Sequence, residues 1–158
     1  MKPSRLITIT LAAALLAGCG MAKDKAAEYY LGKARKTASA QSPGQAEITG
    51  AFADIDRALK YAPDSAAAIE LLGRLTEAAS KSGFAGAQEL EAAALKKALA
   101  ASPLNWSARE AMTNFYSARG DTGGLEAMAA QAQEIYASGD AAAKYRALLS
   151  GLAARASA

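Results

Sequence analysis

The chain has 158 residues, a formal net charge of +3, no histidine and a single cysteine. One thiol cannot close an intramolecular disulfide, and without histidine neither the usual mixed-ligand metal site nor the usual Cys–His nucleophile can be assembled. The Lys and Arg residues are not clustered, which argues against a nucleic-acid surface. Alanine is abundant, β-branched residues are few, and no alternating strand pattern occurs, so the predicted class is all-α.

The chain opens with Lys2 and Arg5, followed by an uninterrupted run of apolar residues and threonine from Leu6 to Ala17. That run is shorter than the roughly 20 residues a membrane span needs, and its layout is that of a secretory signal: cationic start, apolar middle, small residues at the end. Leu16-Ala17-Gly18-Cys19 resembles a bacterial lipobox, an aliphatic residue and two small ones before cysteine. The resemblance implies that the Cys19 thiol is diacylglycerylated, that cleavage falls between Gly18 and Cys19, and that Cys19 becomes an N-acylated terminus. Residues 1–18 are then a signal peptide, 19–24 a lipidated N-terminus with a short tether, and 25–158 the folded domain. More than one acyl chain makes membrane anchoring stable. Gly20 resembles an outer-membrane sorting residue, which implies a lipid-anchored protein on the outer membrane, facing the periplasm. The plainer alternatives are an ordinary signal peptide with an incidental Cys19, or a buried Cys19 in an N-terminal helix. Loss of Lys2 and Arg5 with the leader would leave the 18 basic side chains only one ahead of the 15 acidic ones.

Beyond the leader, proline is confined to Pro43, Pro63 and Pro103. The 40-residue interval from 63 to 103 suggests stacked repeats. Leu31-Gly32 aligns with Leu72-Gly73, Ala58-Leu59 with Ala98-Leu99, and Pro63 with Pro103. Each unit reads as helix, loop, helix and Pro-marked turn. Ile48, Phe52, Ile55 and Leu59 fall on one helical face, as do Ile69, Leu72, Thr76 and Ala79, and Leu125, Met128, Ala132 and Ile135. The segments QSPGQ, KSGFAG, SPLN and ARGDTGG are predicted turns, the long ones at Ala40–Ala46 and Lys81–Ala87, and Asp64 and Asn105 are predicted N-caps.

Ile69-Glu70-Leu71-Leu72-Gly73, Ala98 and Pro103, together with Met112, Thr113, Tyr116, Gly120-Asp121 and Ala132, resemble the tetratricopeptide repeat (TPR) pattern. The first two units are about six or seven residues longer than the 34-residue TPR period, the third lacks its closing proline, and Trp106 is out of register with the family tryptophan. The resemblance covers about residues 25–137. It implies a TPR-like right-handed α-solenoid of about three helix pairs; an ordinary Ala-rich helical bundle is the alternative. Tyr145, Leu148, Leu149 and Leu152 share a face of the last segment, with Lys144 and Arg155 on the other, which reads as a capping helix or, alternatively, a membrane-surface helix.

No catalytic constellation emerges: there is no phosphate-binding glycine loop after a strand, no HExxH, and no nucleophile–base pair. The predicted function is therefore non-catalytic, with no cofactor beyond the covalent diacylglycerol and N-acyl lipid on Cys19. In a TPR stack the first helix of each pair lines a concave, peptide-binding surface. The resemblance assigns that surface to Tyr29, Lys33 and Lys36, to Glu70, Arg74 and Glu77, and to Glu110, Asn114 and Ser117. Glu70, Arg74 and Glu77 also have the spacing of ordinary helix-surface ion pairs. The expected role is a protein–protein interaction scaffold in cell-envelope, pilus or secretion-system assembly, binding an envelope protein or peptide client. The alternative is a structural, self-associating lipoprotein without a client groove.

Overall fold

The computed structural model describes the backbone of residues 4–135 and 143, and the side chains of 21–132, 134, 135 and 143. The described residues form α-helices and no sheet: α1 (Ser4–Ala38), α2 (Gln45–Tyr61), α3 (Ala66–Lys81), α4 (Ala87–Ala101), α5 (Trp106–Ala118) and α6 (Thr122–Ile135). Each packs on the next, and α1 on α3, α2 on α4 and α3 on α5 add contacts to the next-but-one helix. Among the described residues no helix is long and apolar enough to cross a membrane. The capping segment with Tyr145, Leu148, Leu149 and Leu152 lies outside the described residues, as do the side chains of the leader and of Cys19.

The stripes read on α2 and α3 form the core, while of the α6 stripe Met128 and Ala132 are buried and Leu125 and Ile135 only half-buried. Ile48, Phe52, Ile55 and Leu59 are buried on α2, and Ile69, Leu72, Thr76 and Ala79 on α3, where Leu71 and Leu75 join them. Leu95 of α4, Met112 of α5 and Met128 and Ala132 of α6 extend the same cluster. Alanines 27, 34, 58, 68, 79, 98 and 108 are buried too, and their small side chains let helix axes approach closely.

The turns explain why the helices pair. Gly83 (φ 77°) ends α3 with Gly83 N–H donating to Ser80 O and Phe84 N–H to Ala79 O. Gly120 (φ 63°) ends α5 in the same way, through Ser117 O and Tyr116 O. Both are Schellman closures, which need a left-handed residue that glycine adopts without steric cost. The proline turns mark the other end. Ser65 Oγ accepts from Ala68 N–H at 3.2 Å, and Asn105 Oδ1 from Ala108 N–H at 2.9 Å, so α3 and α5 have equivalent caps. The two turns also bond to each other: Asn105 Nδ2 donates to Pro63 O at 2.6 Å and Ser102 Oγ to the Asp64 carboxylate. The 40-residue spacing thus appears as two stacked, hydrogen-bonded turns.

Four sequence readings change. The cap of α3 is Ser65 rather than Asp64, whose carboxylate serves the neighbouring turn. The segment Thr122-Gly123-Gly124 is the first turn of α6, capped by Asp121 Oδ1 on Gly124 N–H at 2.8 Å, because the turn closes already at Gly120. The inter-helix loops shrink to 39–44 and 82–86. Residues 19–24 continue α1 without a break.

Candidate interaction groove

A groove of about 380 Å³ runs between α3 and α5. Its floor and walls are Ala66, Ile69 and Gly73 of α3 and Ser107 and Ala111 of α5; its polar groups are Glu70, Glu110, Asn114 and, from α4, Glu91. The caps set this geometry. Ser65 and Asn105 start α3 and α5 at stacked turns, so the two helices run side by side in register. Ile69 is the aliphatic residue of the groove that α3 turns toward the core.

Glu91 lies beside Gly73: a Cβ at position 73 would be 3.8 Å from Glu91 Oε1, an ordinary contact. Burial raises the Glu91 carboxyl above its ordinary range, and a hydrogen bond with Thr76 acts in the opposite direction. Glu70 is paired with Arg74 at 3.5 Å, an exposed i,i+4 contact. Among the described residues Glu91 and Glu110 have no cationic partner. The groove therefore concentrates three carboxylates over an apolar floor, with one compensating guanidinium at its edge. Such a surface attracts cationic side chains with aliphatic stems, which can lie on Ile69 and Ala111 while their heads meet the acids. Among the described residues no group of three or more His, Cys, Asp and Glu is placed to hold a metal.

Of the nine residues assigned to a partner surface, Glu70, Glu110 and Asn114 come together in this groove. The others lie elsewhere. Glu77 is tied to Lys81 at 2.6 Å on the exposed end of α3, and that hydrogen bond, with the Lys81 charge, holds its carboxyl below the ordinary range. Arg74 flanks the groove, and Ser117 is half-buried near the end of α5. Tyr29, Lys33 and Lys36 sit on α1. There Lys33 reaches sideways to Asp54 of α2 at 3.0 Å, and Asp54, itself 5% exposed, also takes Arg57 at 2.9 Å. Tyr29 meets Tyr30 edge to face at 5.3 Å, and Tyr30 stacks on Tyr61 at 6.1 Å. The α1–α2 flank is thus an aromatic and cationic cluster, chemically opposite to the α3–α5 groove. Glu91 enters from α4, the second helix of its pair, and its place in the sequence carries no signal for this groove.

A second cavity, about 430 Å³, lies among α4, α5 and α6, walled by Leu99, Met112, Met128 and Ile135. Arg109, 1% exposed, borders it and donates from Nη2 to Pro103 O at 2.7 Å. None of the nine sequence-assigned residues lines it. In comparisons with known proteins, no family model, no curated protein and no solved structure matches the chain.

Proposed function

We propose that the protein is a lipid-anchored, non-catalytic scaffold of a bacterial cell envelope, built as a TPR-like right-handed stack of helix pairs, whose α3–α5 groove captures a basic segment of a partner protein. The observation that carries this reading is the groove itself. Two first-position helices lie side by side, and Glu70, Glu91 and Glu110 line the space around an apolar floor. The stacked proline turns and the next-but-one helix contacts support repeat stacking over an irregular bundle. The Leu16–Cys19 lipobox supports the anchor and the envelope location. The mechanism is positional: acyl chains hold the scaffold at a membrane, and the groove selects a segment by charge and by the room above Ile69. Mixed acid and amide lining, with Asn114 beside Glu110, suits a peptide that offers both cations and backbone amides.

The test is in-cell photo-crosslinking from a reactive residue at position 114, compared with Glu70→Lys/Glu110→Lys protein at equal abundance. A crosslinked envelope protein that is lost on charge reversal supports the client groove. Crosslinks only between copies of the chain overturn it in favour of a structural, self-associating lipoprotein.

A further inference from the structure

The outward face of α1 has a composition that the groove does not use. At 100° per residue, Met21, Lys25, Tyr29, Gly32 and Lys36 fall within an arc of about 80°. The buried residues of the same helix, Ala27, Leu31 and Ala34, centre on the opposite side. Met21 is 63% and Tyr29 64% exposed, and Lys25 and Lys36 are exposed. On the flanks Glu28 pairs with Arg35 and Lys33 with Asp54, and the exposed Asp24 lies about 60° beyond the edge of the arc. The arc itself holds two lysines, an exposed thioether and an exposed phenol, with no carboxylate. Because α1 is unbroken through residues 19–24, the direction of this face is fixed relative to Cys19. The short tether expected at 19–24 is helical, and the stripe starts two residues from Cys19.

We propose that this face of α1 rests on the anionic phospholipid headgroups of the membrane that holds the Cys19 lipid, so that the domain is oriented as well as anchored. The inference rests on the lipoprotein reading above. Lysines near an anionic bilayer are attracted to its headgroups, and tyrosine and methionine insert at the interface between headgroup and acyl chain. Over the roughly 22 Å from residue 21 to residue 36, the stripe presents these types in line with the anchor.

Cys19 is the chain's one cysteine, and acylation consumes its thiol. Lys25→Cys, Tyr29→Cys, Lys36→Cys and the control Gln88→Cys therefore each carry one labelling site in the full, lipidated chain. The labelled proteins are reconstituted in phosphatidylethanolamine vesicles with or without phosphatidylglycerol, and quenching by a headgroup-depth quencher lipid is read, with intact mass reporting the Cys19 acyl chains. The expected result is strong quenching at 25, 29 and 36 and little at 88. Withdrawal of phosphatidylglycerol, or Lys25→Glu/Lys36→Glu in the Tyr29→Cys chain, lowers quenching severalfold, each lost lysine counting for about a fivefold change in surface affinity. Acylated protein with all four labels unquenched overturns the orientation while leaving the anchor intact. A Cys19 without lipid overturns the lipoprotein reading and the proposal with it. Labels shielded in native membranes but not on vesicles overturn it in favour of a protein partner on α1.

Discussion

The helix pairs α3–α4 and α5–α6 share their framework and differ in what fills the space between the helices. Each begins at a stacked turn with a polar cap, Ser65 or Asn105, and each folds back through a Schellman glycine, Gly83 or Gly120. In the first pair Gly73, on the leading helix, faces the carboxylate of Glu91 with room to spare, a Cβ there making only ordinary contact at 3.8 Å. In the second pair the facing glycine is Gly124, on the returning helix, and the ring of Tyr116 occupies the room: a Cβ at 124 would fall 2.4 Å from that ring. Turn chemistry recurs because it closes the pair; the neighbour of the glycine varies, a carboxylate lining the α3–α5 groove in the first pair and a tyrosine ring lining the α4–α5–α6 cavity in the second.

The largest effects test whether the two cores are equally packed. Leu72 and Met112 occupy corresponding positions, 0% and 1% exposed. Leu72→Ala is expected to cost near the top of the 2–5 kcal/mol range for buried truncations. Met112→Ala should fall near the bottom, because Met112 already borders the α4–α5–α6 cavity and has the adaptable side chain of Met128 beside it. Urea unfolding of the two variants gives the order directly; equal losses would mean that the second pair is as tightly packed as the first.

The glycines should part more sharply. Gly124→Ala drives a methyl into the Tyr116 ring and should cost about 1–3 kcal/mol. Gly73→Ala meets only ordinary contact with Glu91 and should be neutral or gain up to about 1 kcal/mol of helix propensity. Adding Tyr116→Ala to Gly124→Ala should recover part of the clash, which thermal unfolding of the four members of the cycle would reveal as a coupling energy. Additive losses would remove the ring contact as the cause. At the caps, Ser65→Ala should cost about 1 kcal/mol. Asn105→Ala should cost about 1 kcal/mol more, since it also leaves the Pro63 carbonyl without its donor at 2.6 Å.

Much of this comparison is legible in the residues themselves. The apolar stripes of α2 and α3 and the 40-residue proline interval are periodic signals, and the core and the stacked turns follow from them. The capping residue of α3 was misplaced by one because Asp64 and Ser65 are both good caps, and the choice is made by Ser102 and Asn105 across the neighbouring turn. Gly123 and Gly124 read as turn residues for a similar reason: glycine means positive φ in one place and close helix approach in another, and only the Tyr116 ring distinguishes them. Within the groove, Glu70, Glu110 and Asn114 could be assigned from their place on first-position helices. Glu91 could not, since it reaches the groove from α4, and only the packing of α4 against α3 and α5 brings it there.

The smallest effect bears most directly on function. Glu91 in the folded chain binds its proton more tightly than a carboxyl at the ordinary value of 4.5, because burial disfavours the anion. Between that value and its raised one, the folded state therefore carries more protons than the unfolded state, and this group's contribution to stability falls as pH rises through the window. Glu77 and Glu89 act in the opposite sense, their carboxyls lowered by hydrogen bonds and charge from Lys81 and, for Glu89, by a backbone hydrogen bond and Arg119, so their contributions fade as pH drops. Those two are exposed and screened by salt, so the difference between the wild-type chain and Glu91→Gln isolates the groove. Unfolding midpoints at high salt should show the glutamine variant gaining on the wild type as pH climbs from 4.5 toward neutral. A flat difference would mean that Glu91 is fully hydrated and the groove does not desolvate what enters it. A basic peptide added to the wild type should flatten the slope, because a cation beside Glu91 offsets the burial that raises its pKa, and the glutamine variant, which keeps only Glu70 and Glu110 in the groove, should respond less.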